Sequence, residues 1–87
     1  VYAEITSYSQ LRRLDDLLKG RTDFVVKPNQ GSAGRGVLVT TGPHEKGGYR
    51  RHNGDRLDAD DLRHHLSDIL SGMFSLGGRP DSAIVQQ

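Results

Sequence analysis

Two short β-prone runs separated by a glycine-rich segment constrain the fold of this chain more than any other feature. The runs cover residues 24–26 and 37–41 and are rich in the β-branched and aromatic residues that favour strands. Small, polar and glycine residues fill the segment between them, residues 29–36, which is typical of a loop. Pro28 cannot donate a ladder hydrogen bond, so regular pairing is expected to stop near Lys27. The pattern predicts a hairpin with an unusually long, glycine-rich tip.

This glycine-rich tip has the composition of a phosphate-binding loop. Glycine allows the backbone to approach a ligand closely and to adopt positive φ, and successive backbone amides in such a loop form a concave anion site. Lys27 adds a positive charge at the end of the first strand, and Arg35 adds another at the tip. One face of the strand at residues 24–26 could also line an apolar slot for a purine. The same composition is common in hairpin tips that are only flexible turns.

The order of these residues differs from the commonest nucleotide-binding motifs. A P-loop has lysine and then serine or threonine directly after its last glycine, whereas Val37 follows Gly36 here. The Rossmann fingerprint joins a strand to a helix, whereas this loop leads into a strand. The glycine loop of protein kinases also joins two strands, but its lysine lies on a later strand, whereas Lys27 precedes the loop.

A first helix is predicted over residues 7–19, where apolar residues recur at helical spacing. Ser7 or Ser9 can cap its start, and Gly20 supplies its C-terminal stop. Its apolar positions are Tyr8, Leu11, Leu14, Leu17 and Leu18. The expected role of this helix is packing against a sheet.

A second helix is predicted over residues 59–75. Asp58 can cap it, Asp60 and Asp61 lie at the positive end of its dipole, and the glycines and proline of residues 77–80 end it. Its apolar stripe consists of Leu62, Leu66, Ile69, Leu70, Met73 and Phe74. Capping explains these three aspartates better than a cation site does.

A second hairpin and a final strand complete the predicted secondary structure. Beyond a loop at residues 42–48, residues 49–52 and 55–57 flank Asn53-Gly54, a strong signal for a two-residue hairpin turn. Residues 83–87 have the composition of a strand. The order helix, hairpin, hairpin, helix, strand predicts an α+β fold, in which two helices pack on one face of a small, mostly antiparallel sheet.

Charge and hydropathy narrow the possible functions. The chain has 12 basic and 11 acidic residues and a net charge of +1, so it lacks the strongly basic character of many nucleic-acid binders. Arg50, Arg51 and Arg56 nevertheless form a local basic patch beside Tyr49, the one aromatic residue placed to stack on a base. A non-catalytic nucleic-acid or protein interaction domain is therefore the alternative function. No run approaches the roughly 18 apolar residues of a membrane span.

The histidines do not have the spacing of a metal site. His64 and His65 are adjacent, so on a helix their side chains point about 100° apart, and they are expected to be solvated or partly packed. The chain contains no cysteine, which agrees with a reducing cytoplasm, the compartment we expect.

Length and composition together predict a single domain over residues 1–87 that belongs to a longer protein. Its 87 residues suffice for one small domain, but a hydrophobic content of 33% is low for a self-sufficient globule. The chain also begins with Val1 and ends on a predicted strand.

The order of strand, Lys27-Pro28, glycine-rich loop and strand resembles the ATP-grasp superfamily. Residues 24–28 followed by residues 31–37 look like the nucleotide-clamping hairpin of those enzymes. The likeness continues through Tyr49-Arg50 and residues 62–78 and covers about residues 22–87. Within the superfamily, the chain is most similar to the alpha-L-glutamate ligase-related group.

The resemblance implies the ATP-binding lobe of an ATP-dependent carboxylate–amine ligase of glutamate type, which acts through an acyl phosphate. In the family, the lysine that matches Lys27 contacts the nucleotide, the glycine loop closes over the β- and γ-phosphates, and the last strand leads to the adenine. The implied nucleotide-binding residues are Lys27, Gln30, Gly31, Ser32, Ala33, Gly34, Arg35, Gly36, Gln86 and Gln87.

Two departures from the family pattern limit what this chain can do alone. The acidic and asparagine ligands of Mg²⁺ lie in the other lobe of the family fold, and this chain ends before that lobe. Gln86 and Gln87 also stand where a hinge acid is frequent. The metal ligands, the catalytic residues and the carboxylate substrate site are therefore expected outside this chain.

Overall fold

A computed structural model describes residues 2–31 and 34–87, which form six strands, two α-helices and two 3₁₀ segments. In chain order they are β1 Ala3–Ile5, a 3₁₀ helix Tyr8–Arg13, α1 Leu14–Leu18, β2 Val25–Pro28, β3 Leu38–Pro43, β4 Tyr49–Arg51, β5 Arg56–Leu57, α2 Ala59–Leu70, a 3₁₀ turn Leu76–Gly78 and β6 Ala83–Gln86. The strands form one antiparallel sheet in the spatial order β1-β6-β2-β3-β4-β5. The predicted α+β fold is confirmed.

Alternation along the central strands divides the sheet into two faces. Val26 of β2 and Val85 of β6 are Cα partners and are buried. The next pair, Lys27 and Ile84, points to the opposite side and is only half-buried. Leucines of both helices join Val26 and Val85 in one hydrophobic core, so the helices cover one face. The second face, hereafter the open face, carries Val25, Lys27, Val39, Ile84 and Gln86.

The first helical segment differs in type from the prediction. It begins at the expected Ser7 cap, where the Gln10 side-chain oxygen accepts a hydrogen bond from the Ser7 amide at 3.0 Å. It then runs as a six-residue 3₁₀ helix before α1. Leu11, Leu14 and Leu17 are spaced by three residues, which suits the period of a 3₁₀ helix as well as that of an α-helix. The apolar spacing therefore could not distinguish the two.

Helix α2 begins as predicted but ends five residues early. Asp58 caps it by accepting a hydrogen bond from the Asp61 amide at 2.7 Å. The helix stops at Leu70 because Gly72 adopts a left-handed conformation, with φ +90°, and the amides of Gly72 and Met73 turn back to the carbonyls of Ile69 and Asp68. Residue 72 must be glycine, since a Cβ there would overlap the carbonyl oxygen of Arg79. The prediction of a helix to residue 75 was therefore wrong. In the described part of the chain, no helix is long and apolar enough to cross a membrane.

Strand β2 pairs one residue further than Pro28 was expected to allow. Pro28 lies opposite Ala83 of β6, and the next amide, Asn29, donates to the Ser82 carbonyl at 2.8 Å. Because hydrogen-bonded pairs alternate along an antiparallel ladder, the Pro28 nitrogen faces away from β6. On that other side, pairing with β3 ends at Val26. The absence of an N–H group at Pro28 therefore removes no hydrogen bond from either ladder of β2.

The two predicted turns after β3 also shift. Strand β3 continues through Pro43 with a bulge between Thr40 and Gly42, so the loop begins later than residue 42. In the second hairpin, the Arg51 amide donates to the Asp55 carbonyl at 2.8 Å. This bond closes a three-residue loop over residues 52–54 rather than the predicted two-residue turn. Asn53-Gly54 is inside that loop, so the position of the turn was right and its length was wrong.

Thr40 is a fully buried polar side chain that fixes the start of the β2–β3 hairpin. Its hydroxyl accepts from the Phe24 amide at 3.0 Å and donates to the Thr22 carbonyl at 2.8 Å. The Thr40 amide in turn donates to the Phe24 carbonyl at 2.9 Å. The Phe24 amide therefore depends on a side chain for its hydrogen bond.

Replacing Thr40 by valine keeps the side-chain shape but removes the hydroxyl. We expect the free energy of unfolding to fall by about 1–3 kcal/mol, because the buried Phe24 amide loses its acceptor. Urea denaturation measures the change. Thr41→Val is the matched control, since Thr41 is exposed and its hydroxyl lies 3.5 Å from the Arg50 carbonyl. Equal changes in the free energy of unfolding for the two substitutions would show that the hydrogen bonds of the Thr40 hydroxyl do not stabilise the hairpin.

Candidate functional site

In the described part of the chain, the centre of the open face, formed by β2, β3 and β6, carries the cation Lys27 among apolar and amide side chains. Lys27 of β2 is the Cα partner of Ile84 of β6, and Val25 is the partner of both Gln86 and Val39. All five side chains are half-buried. The face is therefore a shallow apolar surface with an ammonium group and an amide on it, and no helix covers it.

The Lys27 ammonium is available to a ligand. Within residues 2–31 and 34–87, the ion pair that the structure contains is between Arg63 and Asp60, and none involves Lys27. Glu4 lies on the same face as the partner of Ile84, two strands and thus about 10 Å from Lys27. Lys27 is half-buried, and within the described residues no carboxylate forms an ion pair with its ammonium group.

The glycine-rich loop leaves the sheet at the end of β2, beside Lys27. Gly31 pairs with Ser75 in an isolated antiparallel bridge. Gly34 and Gly36 adopt left-handed backbone, with φ +74° and +78°, and Arg35 between them is exposed. The predicted site residues Ser32 and Ala33 lie outside the described residues.

The structure brings some of the predicted site residues together and separates others. Lys27 and Gln86 share the open face, two pairs apart along the β2–β6 ladder. Gln30, Gly31 and the Gly34–Gly36 limb follow from the end of β2. Gln87 is exposed just beyond β6. Lys27 therefore lies beside the loop, whereas the end of β6 lies beside the start of β2, at the opposite end of the antiparallel ladder from the loop.

The first amide of the loop is already occupied by a carboxylate. The Gln30 amide donates to both oxygens of Asp81, at 3.1 and 3.0 Å, and the Ser82 amide donates to one of them at 2.7 Å. An acid on the segment before β6 thus holds the loop in the way that a bound anion could. Sequence reasoning missed Asp81, because 51 residues separate it from Gln30 and no local motif connects them.

His65 and Phe74 hold the other end of the loop and were also missed. His65 Nε2 lies 2.6 Å from the Gly36 carbonyl oxygen, and its ring centroid lies 5.5 Å from that of Phe74. A Cβ at Gly36 would come within 2.7 Å of the Phe74 ring and 2.8 Å of Pro28. The only available signal was that His65 follows Leu62 by three residues, at the border of the apolar stripe of α2.

The basic patch does not have the aromatic surface that nucleic-acid stacking requires. Tyr49 is 9% exposed and packs edge-on against Phe24, with ring centroids 5.4 Å apart. Burial raises the pKa of its hydroxyl, as does the nearby Asp15. Arg51 and Arg56 instead line an open cleft of about 430 Å³ beside α2. Tyr49 is therefore not available to stack on a base, which removes the one aromatic residue on which the nucleic-acid alternative depended.

Residues 2–31 and 34–87 hold no cluster of metal-binding side chains beside these groups. In the part of the chain that the structure describes, no three histidine, aspartate or glutamate side chains group closely enough to hold an ion. His64 is exposed and His65 is bonded to the loop backbone. The acid nearest to the loop, Asp81, is engaged by two backbone amides.

Comparison with known proteins gives one family for the whole chain. The family model described as "Sugar-transfer associated ATP-grasp" matches residues 1–87. Neither the curated proteins nor the solved structures give a significant match.

Gly36 and Gly34 allow the packing of the loop to be tested by matched substitutions. Both glycines have left-handed backbone, so alanine costs about 1–2 kcal/mol of local strain at either position. Only Gly36→Ala also places a methyl group against Phe74 and Pro28, since a Cβ at Gly34 meets nothing within 4 Å. We expect Gly36→Ala to shift the NMR resonances of the Phe74 and His65 rings, and Gly34→Ala to leave them in place. Unchanged ring resonances in Gly36→Ala would contradict the observed packing.

Proposed function

Because the chain belongs to the sugar-transfer associated ATP-grasp family, we propose that it forms the ATP-binding lobe of an ATP-dependent ligase, with the open face turned toward the nucleotide. The observation that carries the proposal is the position of Lys27. Its unneutralised charge lies on the uncovered face, where β2 passes into the glycine-rich loop. A cation, loop amides and an apolar surface are the groups that a nucleoside triphosphate requires.

Lys27 and the loop bind the phosphates in this proposal. The Lys27 ammonium is a compact charge that makes no ion pair within the described residues, so it can contact phosphate oxygens without losing one. Gly34 is exposed and open, which lets a phosphate approach its backbone closely. Arg35 adds a second cation at the tip. Together they neutralise negative charge on the β- and γ-phosphates during transfer.

The apolar part of the open face accommodates the base. Val25, Val39 and Ile84 offer a surface on which a purine can lie flat, and Gln86 adds an amide that can both donate and accept at a base edge. Gln87, just beyond β6, would border the same base. A single open face covers only one side of a nucleotide, so we propose that a second lobe, elsewhere in a longer protein, closes over it. Residues 1–87 are one domain of that protein in this proposal.

The family suggests the type of reaction of the whole protein but not its substrates. We propose that a carboxylate oxygen takes the γ-phosphoryl group of ATP, with release of ADP. An amine then attacks the acyl carbon of this acyl phosphate, loses a proton and displaces inorganic phosphate. The glutamate-type acceptor suggested by the sequence stays a prediction, since the matched family is described by its association with sugar transfer. The residues that select the acid and the nucleophile are proposed to lie outside this chain, and a cytoplasmic location stays a prediction as well.

The described residues do not supply a set of ligands for Mg²⁺. Their acidic side chains form no metal-binding group, and Glu4 is the acid that the sheet register places on the open face near Lys27. We therefore propose that any Mg²⁺ that accompanies ATP is held by the phosphates and by side chains of the second lobe. No step of the proposal on this chain depends on the ion.

Substituting Lys27 by alanine tests the proposal directly. We expect ATP to bind about ten- to a hundredfold more weakly in the full-length protein, which corresponds to the loss of charge-assisted hydrogen bonds to phosphate. The fold should be unchanged, because the ammonium group makes no ion pair within the described residues. Isothermal titration calorimetry with Mg-ATP measures the affinity, and circular dichroism checks the fold.

Lys46→Ala is the matched control, since Lys46 is exposed in the loop between β3 and β4, away from the open face. The proposal requires that Lys46→Ala leave ATP affinity unchanged. Equal ATP affinity in the wild type and Lys27→Ala would remove Lys27 from the site and leave the open face without its phosphate contact.

A further inference from the structure

The downstream limb of the glycine-rich loop rests on helix α2 through one hydrogen bond. His65 Nε2 lies 2.6 Å from the carbonyl oxygen of Gly36. A carbonyl oxygen can only accept, so the proton of this bond is carried by Nε2. The neutral Nε2–H tautomer and the doubly protonated ring can both donate it. His65 is half-buried, which limits competition from water for the same carbonyl.

Packing holds Gly36 from its other sides. The Phe74 ring and Pro28 leave no room for a side chain at this position, since a Cβ would come within 2.8 Å of either. The His65 and Phe74 rings themselves lie 5.5 Å apart at an interplanar angle of 33°. Three side chains from three parts of the chain thus surround the backbone of one glycine.

Two residues upstream, the space beside the backbone is open. Gly34 is exposed, and a Cβ there would meet no atom within 4 Å. The change from an open to a closely packed backbone therefore falls within residues 34–36. A loop that closes over a ligand needs such a fixed base, because the entropy lost on closure rises with the length of chain that must become ordered.

From this geometry we infer that His65 is a positioning residue for nucleotide binding, which fixes the downstream base of the loop by donating Nε2–H to the Gly36 carbonyl. The inference rests on the proposed function, since it assigns to the loop the role of binding phosphates. His65 touches no ligand in this account. Its effect passes through the backbone of Gly36 to the amides on either side of it.

The test compares three variants of the full-length protein. His65→Leu removes the donor, His65→Gln keeps an N–H donor at about the same distance from the backbone without the ring, and His64→Leu is the control. His64 is the neighbouring histidine on α2, and it is exposed with no hydrogen bond to the described residues. Amide hydrogen exchange at Gly34, Gly36 and Val37 reports the order of the loop, and calorimetric titrations give the dissociation constants of ATP and adenosine.

We expect His65→Leu to speed exchange at Gly36 and Val37 and to raise the dissociation constant of ATP about three- to tenfold, the effect of one net hydrogen bond. Adenosine carries no phosphates, so its dissociation constant should not change. His65→Gln should restore the ATP affinity to within about twofold, and His64→Leu should behave as the wild type.

Three results would overturn the inference. Unchanged exchange at Gly36 in His65→Leu would show that the bond does not hold the loop, and faster exchange with unchanged ATP affinity would reduce His65 to a structural role. A failure of His65→Gln to restore affinity would assign the effect to ring packing instead of the hydrogen bond. If the wild type does not bind ATP, the proposed function itself is wrong. In that case exchange at Gly36 would still respond to His65→Leu, which distinguishes this result from failure of the inference.

Discussion

The pairing of β6 with β2 determines most of what this molecule can do. Their ladder places Val26 beside Val85 toward the helices, and Lys27 beside Ile84 on the other side. A shift of one residue in this register would bury Lys27 in the core and expose the valines. The cost of burying an unpaired ammonium excludes that arrangement. The same ladder therefore sets both the hydrophobic core and the open face that we assign to the nucleotide.

The loop takes its position from residues that are distant in sequence. The segment that connects α2 to β6 supplies Asp81 for the Gln30 amide and Ser75 for the bridge to Gly31, while His65 of α2 binds Gly36. These contacts hold both limbs of a glycine-rich segment that would otherwise be costly to order. The loop is therefore attached at its ends and open near Gly34, an arrangement compatible with closing over a phosphate.

The sequence was sufficient for the parts of the structure that local chemistry controls. The hairpin around the glycine-rich loop, the Asp58 cap and the final strand follow from alternation, capping and turn residues, and all are present. The end of α2 was misplaced because the apolar stripe continues to Phe74, although Gly72 ends the helix in a left-handed conformation, which is a local signal. Asp81 and His65 were missed for a different reason, since each acts on the loop through a long-range contact.

Methyl NMR of the protein during titration with Mg-ATP tests the central claim most directly. Val25, Val39 and Ile84 report on the open face, while Val26, Val85 and Ile69 report on the core behind it. The account predicts that the first group shifts with ATP, the second stays in place, and adenosine reproduces the shifts of the first group in part. Shifts confined to residues beside the cleft of Arg51 and Arg56, with the open-face methyl groups unchanged, would contradict it.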